Sequence, residues 1–175
     1  MATWTIDTAH SEIGFKVKHL VISTVSGKFN SFEGKLEGDP NDLINAKISF
    51  SADIDSINTG NEQRDGHLKS ADFFDAANHP KLTFTSTSIE KSGDAEYKVT
   101  GDLTIRGTTK PITLNVEFGG VHNNLYGQTV TGFEITGKIK RLEYGLTWNA
   151  VTEAGGVVVS DEVKLVIDAE LVKQP

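Results

Sequence analysis

Apolar side chains return at every second position along almost the whole of this chain. Ile48, Phe50, Ala52 and Ile54 alternate with Lys47, Ser49, Ser51 and Asp53, and Tyr97, Val99, Gly101, Leu103 and Ile105 alternate with Lys98, Thr100, Asp102 and Thr104. The same beat runs through Ile13, Phe15, Val17 and His19, then Ile112, Leu114, Val116 and Phe118, then Phe133, Ile135, Gly137 and Ile139. It closes the chain through Val163, Leu165, Ile167, Ala169 and Leu171. A repeat of two places successive side chains on opposite faces of a strand, so each segment reads as a strand with one wet and one buried face.

Strands are also predicted at Thr3–Asp7, over Val25–Gly38 and from Leu82 to about Ile89, giving eight or nine in all. The apolar set changes parity between Phe29 and Phe32, which predicts a bulge or bend near Asn30 and Ser31. Turn chemistry stands between the strands: Asp39-Pro40-Asn41-Asp42, Ser92-Gly93-Asp94, and a tight hairpin at Arg106-Gly107-Thr108-Thr109. A glycine- and asparagine-rich loop is expected over Gly119–Gly127, and irregular structure over Leu142–Gly156, which holds Trp148 and Gly155-Gly156. The connections are short and the polar outer rows nearly unbroken, which favours an all-β, eight-stranded antiparallel barrel over a sandwich. No repeat or linker divides the chain, so residues 1–175 read as one domain.

One stretch departs from the pattern. Ser56–Pro80 carries Thr59-Gly60-Asn61-Glu62, a capping-box spacing that predicts a helix from about Gly60 to Lys69. Ser70 is placed to cap a second, shorter turn into Asp72-Phe73-Phe74, and Asn78-His79-Pro80 ends it. Leu68 is the only large apolar residue of the first helix, so that helix has no stripe to bury. It is expected to lie over the barrel as a lid between mid-chain strands.

The net charge of −7 argues against nucleic acid and anionic membrane surfaces as partners. There is no cysteine, hence no disulfide framework or thiolate metal site. No apolar run has the length of an integral membrane segment, and Met1–Ser11 lacks the basic start and apolar core of a signal peptide, so a cytoplasmic protein is expected. The five histidines (His10, His19, His67, His79, His122) show no metal-ligand spacing. His10-Ser11 and scattered aspartates permit a Ser/His/Asp site on paper only; neither G-x-S-x-G nor a phosphate-cradling loop is present. No catalytic residue, metal or cofactor is therefore expected. Arg64, Arg106 and Arg141 are the only arginines among 17 basic residues. Each is expected to pin a loop to a carboxylate such as Asp72, Asp102 or Asp161, with Arg64, at the mouth, the best placed to meet the polar head of a ligand.

Five inward positions carry small residues: Ala52, Ser86, Gly101, Gly137 and Ala169. Together they are expected to leave an apolar channel between the phenylalanines, of a size that holds one small ligand. Such a channel suits a long hydrocarbon, since burying each methylene gains roughly 0.8 kcal/mol.

The motifs, taken in order, resemble the YceI-like proteins. They are W-T-I-D-x-x-H-S at Trp4–Ser11, F-K-V-K-H at Phe15–His19, and G-K-F with a following F-x-G through Gly34. S-I-N-T, R-D-x-H-L-K-S and D-F-F-D cross the lid, and P-K-L-T-F opens at Pro80. G-D-L-T-I-R-G covers Gly101–Gly107, R-x-x-Y-G-L covers Arg141–Leu146, and V-S-D-E-V covers Val159–Val163. The resemblance implies a lipocalin-like barrel whose tunnel holds the chain of an isoprenoid quinone or a prenylated precursor, bound, transported or stored without catalysis. It implies ligand contact by the inward residues Phe15, Val17, His19, Phe29, Phe50, Ala52 and Phe84. The same holds for Gly101, Leu103, Leu114, Val116, Phe133, Ile135 and Gly137, with Phe74 and Arg64 from the lid. Gly66 departs from the helix-favouring residue usual in R-D-x-H-L, which costs up to about 1 kcal/mol relative to alanine and loosens the lid. Many relatives are exported to the periplasm, and the absent signal sets this chain apart. Two other readings stand beside this one: an enzyme acting on an isoprenoid head group, and a ligandless barrel serving as a protein-interaction module. A homodimer through edge strands near the N-terminus is also open.

Overall fold

The computed structural model describes residues 2–20, 22–147 and 159–175. Eleven strands are formed: β1 (Thr3–Ile6), β2 (Glu12–His19), β3 (Ser23–Phe29), β4 (Phe32–Glu37), β5 (Lys47–Asp53), β6 (Ile57–Asn58), β7 (Lys81–Lys91), β8 (Glu96–Ile105), β9 (Thr108–Asn123), β10 (Thr129–Lys140) and β11 (Val159–Lys173). Among the described residues there is one α-helix, α1 (Glu62–Lys69), between β6 and β7. All pairings are antiparallel, and β1 pairs with both β4 and β11, which closes the sheet. Three of the staves are broken. β1 and β2 lie end to end along β11, β3 and β4 lie end to end along them, and β5 and β6 continue the next. Counting each broken pair once gives an eight-stranded up-and-down barrel.

Each break has a local cause. Between β1 and β2, Asp7 caps a turn of 3-10 helix by accepting from the Ala9 backbone N–H at 3.0 Å. Ser11 then ties the corner to β11: its hydroxyl accepts from the Glu170 N–H at 2.9 Å. Between β3 and β4 the chain bends at Asn30 and Ser31, the site of the parity change. That bend is stitched to the break between β5 and β6, where the Ser31 hydroxyl donates to Asp53 at 2.7 Å and the Asp53 N–H donates to the Ser31 carbonyl at 2.9 Å.

Several boundaries differ from the sequence reading. β1 ends at Ile6 rather than Asp7, Ile54 begins a 3-10 turn instead of ending β5, and β7 runs on to Lys91. Asp39–Asp42 opens a longer run of 3-10 turns, Pro40–Asn45, kinked at Asp42, whose Leu43 is turned into the core. The glycine-rich segment after Phe118 stays in β9 as far as Asn123, because its polar residues still pair with β10. The hairpin expected over Arg106–Thr109 forms with a shorter turn: Arg106 and Gly107, both at positive φ, make it, and Thr108 and Thr109 already belong to β9. Helix α1 starts at Glu62, and its cap is Asn61, whose side chain accepts from the Arg64 N–H at 3.1 Å. The Thr59–Glu62 capping box does not form, because Thr59 gives its hydroxyl and its N–H to Asp65. Trp148 and Gly155-Gly156 lie outside the described residues.

Candidate functional site: the barrel cavity and its lid

The barrel interior holds a cavity of about 610 Å³. At one end the Pro40–Asn45 turn packs against β7 and β9, and Leu43 lines the cavity together with Leu36 and Ile48. At the other end lie α1 and the turn that follows it. No residue of α1 is buried, so the helix itself has little to hold it. The anchor comes just after it: Phe73 is buried and Phe74 half-buried, and both face the cavity. Phe74 meets Phe29 edge-on at 6.3 Å between centroids, and Phe29 in turn meets Phe15 at 5.8 Å. His67 stands edge-on to Phe73 at 5.2 Å and bonds Asp72 at 3.1 Å through Nε2. These aromatic contacts close the lid from beneath.

Most of the residues named from sequence meet around this space. Phe15, Val17, Phe29, Phe50, Phe84 and Leu103 line it, as do Leu114, Val116, Phe133 and Ile135, with Arg64 and Phe74 from the lid. Ala52, Gly101 and Gly137 do not. Ala52 is fully buried in the wall, with Phe32 and Leu82 as its cross-strand neighbours. A Cβ on Gly101 would strike the Thr85 carbonyl and stand 2.5 Å from Phe84 Cζ, while one on Gly137 would stand 2.6 Å from Leu114 Cδ2. The space beside each glycine is thus taken by a neighbour lying flat on the wall. Gly27, under the ring of Phe15, repeats the device. Ser86 turns its hydroxyl to accept from the Ile48 N–H at 2.9 Å. Of the five small residues expected to form the channel, only Ala169 borders it. The glycines act one step removed, by letting Phe15, Phe84 and Leu114 lie down instead of standing into the lumen. His19 belongs to β2, and its side chain lies outside the described residues.

The sequence reading missed Phe73, His67 and Leu43. The apolar pair in D-F-F-D and a leucine just after a proline turn were the available signals, but neither sits on a strand row.

Among the described contacts the arginines donate to backbone carbonyls, and Arg64 also to a threonine hydroxyl. Arg64 donates from Nε to the Thr59 hydroxyl and from Nη2 to the Thr59 carbonyl, both at 2.7 Å. It therefore fixes the loop entering α1 while bordering the cavity. Arg106 donates to the Gly145 carbonyl at 2.7 Å. Arg141 is buried and donates to the carbonyls of Leu146, Val159 and Ser160, with its guanidinium 5.9 Å from the Phe73 ring. Burial lowers its pKa, and Asp161 nearby opposes the shift. Carbonyl oxygens accept charge-assisted hydrogen bonds from the fork, and the turns at this end supply several.

Outside the cavity, Asp7, His10 and Glu170 bring one imidazole and two carboxylates within 4.8 Å of one another. The His10–Asp7 hydrogen bond, at 2.8 Å, raises the histidine pKa and lowers that of Asp7. Ser11 bonds the Glu170 backbone, so Asp7, His10 and Ser11 do not form a nucleophilic relay. Among the described residues, no helix is long and apolar enough to cross a membrane.

Comparison with known proteins agrees with this architecture. The YceI-like domain profile matches residues 4–171. A UPF0312 protein of Staphylococcus aureus is 44% identical over 171 residues, which cover 97% of each chain. The Campylobacter jejuni YCEI protein is 37% identical, covers 97% of this chain and 96% of its own, and superposes with a TM-score of 0.78. A polyisoprenoid binding domain from Saccharophagus degradans, 18% identical over 98% of both chains, shares the fold with a TM-score of 0.67. With a profile match over nearly its whole length and such relatives, the chain belongs to the YceI-like family.

Proposed function

We propose that the cavity holds the hydrocarbon tail of an isoprenoid lipid, and that the protein carries or stores this lipid without transforming it. The observation that carries the reading is the lining: aliphatic and aromatic side chains from β1 to β11 surround a space of about 610 Å³ that extends from Leu43 to the lid. Volumes of this order are typical of ligand pockets. Ten buried methylenes give roughly 8 kcal/mol gross, from which association and ordering costs are subtracted, so a tail alone supplies useful affinity. The Saccharophagus degradans domain supports the ligand class.

The polar groups at the lid end narrow the head. Thr59, Asn61, Gln63, Arg64 and His67 border the cavity there; Thr59 gives its donors to Asp65 and His67 bonds Asp72, while Asn61, Gln63 and Arg64 bring N–H groups to the rim. No aspartate or glutamate borders it among the described residues, although the chain has 24 acidic residues. A head built of acceptor atoms fits that rim, such as the carbonyls of a quinone or the phosphate of a prenylated precursor. Titration with a long-chain isoprenoid quinone, followed by quenching of intrinsic fluorescence, tests the reading. Saturable one-to-one uptake is expected in the native chain and loss of it in Ile135→Trp, which fills the lumen; equal uptake by both would overturn it.

A further inference from the structure

The outer wall of the barrel carries charge in rows. Strand register places Glu96 opposite Glu117, Glu117 opposite Glu134, Glu134 opposite Asp168, and Asp168 opposite Glu12. All five are exposed, and none has an ion pair among the described residues. Like charges directly opposed across strands oppose folding, so a five-strand row of them calls for a partner. Four residues along the same strands lies a second row of the other sign, Lys138 opposite Lys164 and Lys164 opposite Lys16. Midway between the rows is a nearly uncharged line, Thr136, Val166 and Gly14. Val166 is half-buried there, and Gly14 has no side chain to stand proud.

A two-fold axis along that middle line carries the acidic row onto the basic row, strand for strand. We infer that this face of β10, β11 and β2 is the contact between two copies of the chain. Glu134, Asp168 and Glu12 of one protomer meet Lys138, Lys164 and Lys16 of its partner, and the two-fold repeats the three pairs in reverse. Self-complementarity in both sign and spacing selects a second copy over an unrelated basic partner, which would match the acidic row alone. Further charges flank the patch: Glu162, 3.4 Å from Lys138, and Lys140 opposite it lie beyond the basic row, Glu170 and Lys18 continue β11 and β2, and Glu117 and Lys28 lie beside it on β9 and β3. They lie outside the six residues that the two-fold pairs. The contact is narrow and charged, so it is expected to be salt-sensitive. The axis runs across the strands, so the two cavities open in opposite directions, and the six charged residues of the contact do not line either cavity. Association is thereby separable from ligand uptake.

Sedimentation velocity on the native chain tests this. A dimer is expected at low salt and a monomer at high salt. The triple variant K16E/K138E/K164E and the triple variant E12K/E134K/D168K are each expected to self-associate at least about a hundred-fold more weakly, because like rows then face each other. An equimolar mixture of the two is expected to dimerise again, as is the chain with all six changes. Circular dichroism of each variant checks that it folds, and the mixture restores binding only if both partners are folded. A native chain that stays monomeric at low salt, or a dimer indifferent to either triple change, overturns the inference.

Discussion

Leu114 lies across Gly137, with its Cδ2 2.6 Å from where a Cβ on that glycine would stand. The obstacle is the tip of a flexible side chain. At Gly101 the obstacle is the Thr85 carbonyl, which is backbone, together with the Phe84 ring. Alanine at position 137 can be accommodated by a small shift of Leu114, and the lower entropy of the unfolded chain offsets part of the strain. Alanine at 101 has no such escape. Urea denaturation is expected to place Gly137→Ala within about 1 kcal/mol of the native chain and Gly101→Ala about 2 kcal/mol or more below it. Equal losses at both positions would show that wall packing does not distinguish them.

Arg64 holds the entrance to α1 through two bonds to Thr59. Lysine keeps the charge and loses the fork. Losing one charge-assisted hydrogen bond, about 1.5 kcal/mol, corresponds to roughly ten-fold more frequent opening of the lid. Stopped-flow release of a bound isoprenoid quinone is therefore expected to be about ten-fold faster in Arg64→Lys. An unchanged release rate would remove α1 from the path of the ligand.

Much of this architecture was legible in the sequence, for a physical reason. A strand with one wet face must alternate, so rows such as Ile112–Phe118 announced both the strand and its inner side. Their meeting around one space follows from barrel closure. The rest depended on neighbours that a linear pattern does not pair. Gly101 and Gly137 read as gaps, and only the packed side chains reveal that Phe84 and Leu114 lie over them. Thr59 had the spacing of a cap, yet Asp65 competes for its hydroxyl and Asn61 takes its place. The arginines were assigned to carboxylates because charge is visible in a sequence and turn carbonyls are not. The sequence left open an edge among the N-terminal strands, but β1 and β2 are each paired on both sides.

Tyr144 provides a test at alkaline pH. It is 1% exposed, and its hydroxyl has no hydrogen-bond partner among the described residues. Burial, with Glu143 adding to it, pushes its pKa up to about 12. The unfolded tyrosine titrates near 10, so the folded state keeps a proton that the unfolded state gives up. Stability is therefore full below about pH 10 and falls as pH rises toward 12, by about 2–3 kcal/mol over that window. Tyr144→Phe removes both the unsatisfied hydroxyl and this dependence. It is expected to be about 1 kcal/mol more stable at pH 7, with its advantage widening above pH 10. Denaturation curves that stay parallel across that range would contradict the assignment.

The central claim is that the lumen holds an isoprenoid tail, and native mass spectrometry of the protein purified from the cells that make it tests this most directly. The account predicts a complex with one lipid per chain, whose mass after solvent extraction is that of an isoprenoid quinone or a prenylated precursor, and its absence from Ile135→Trp prepared in the same way. A chain that emerges empty, and stays empty when an isoprenoid quinone is added, would contradict it.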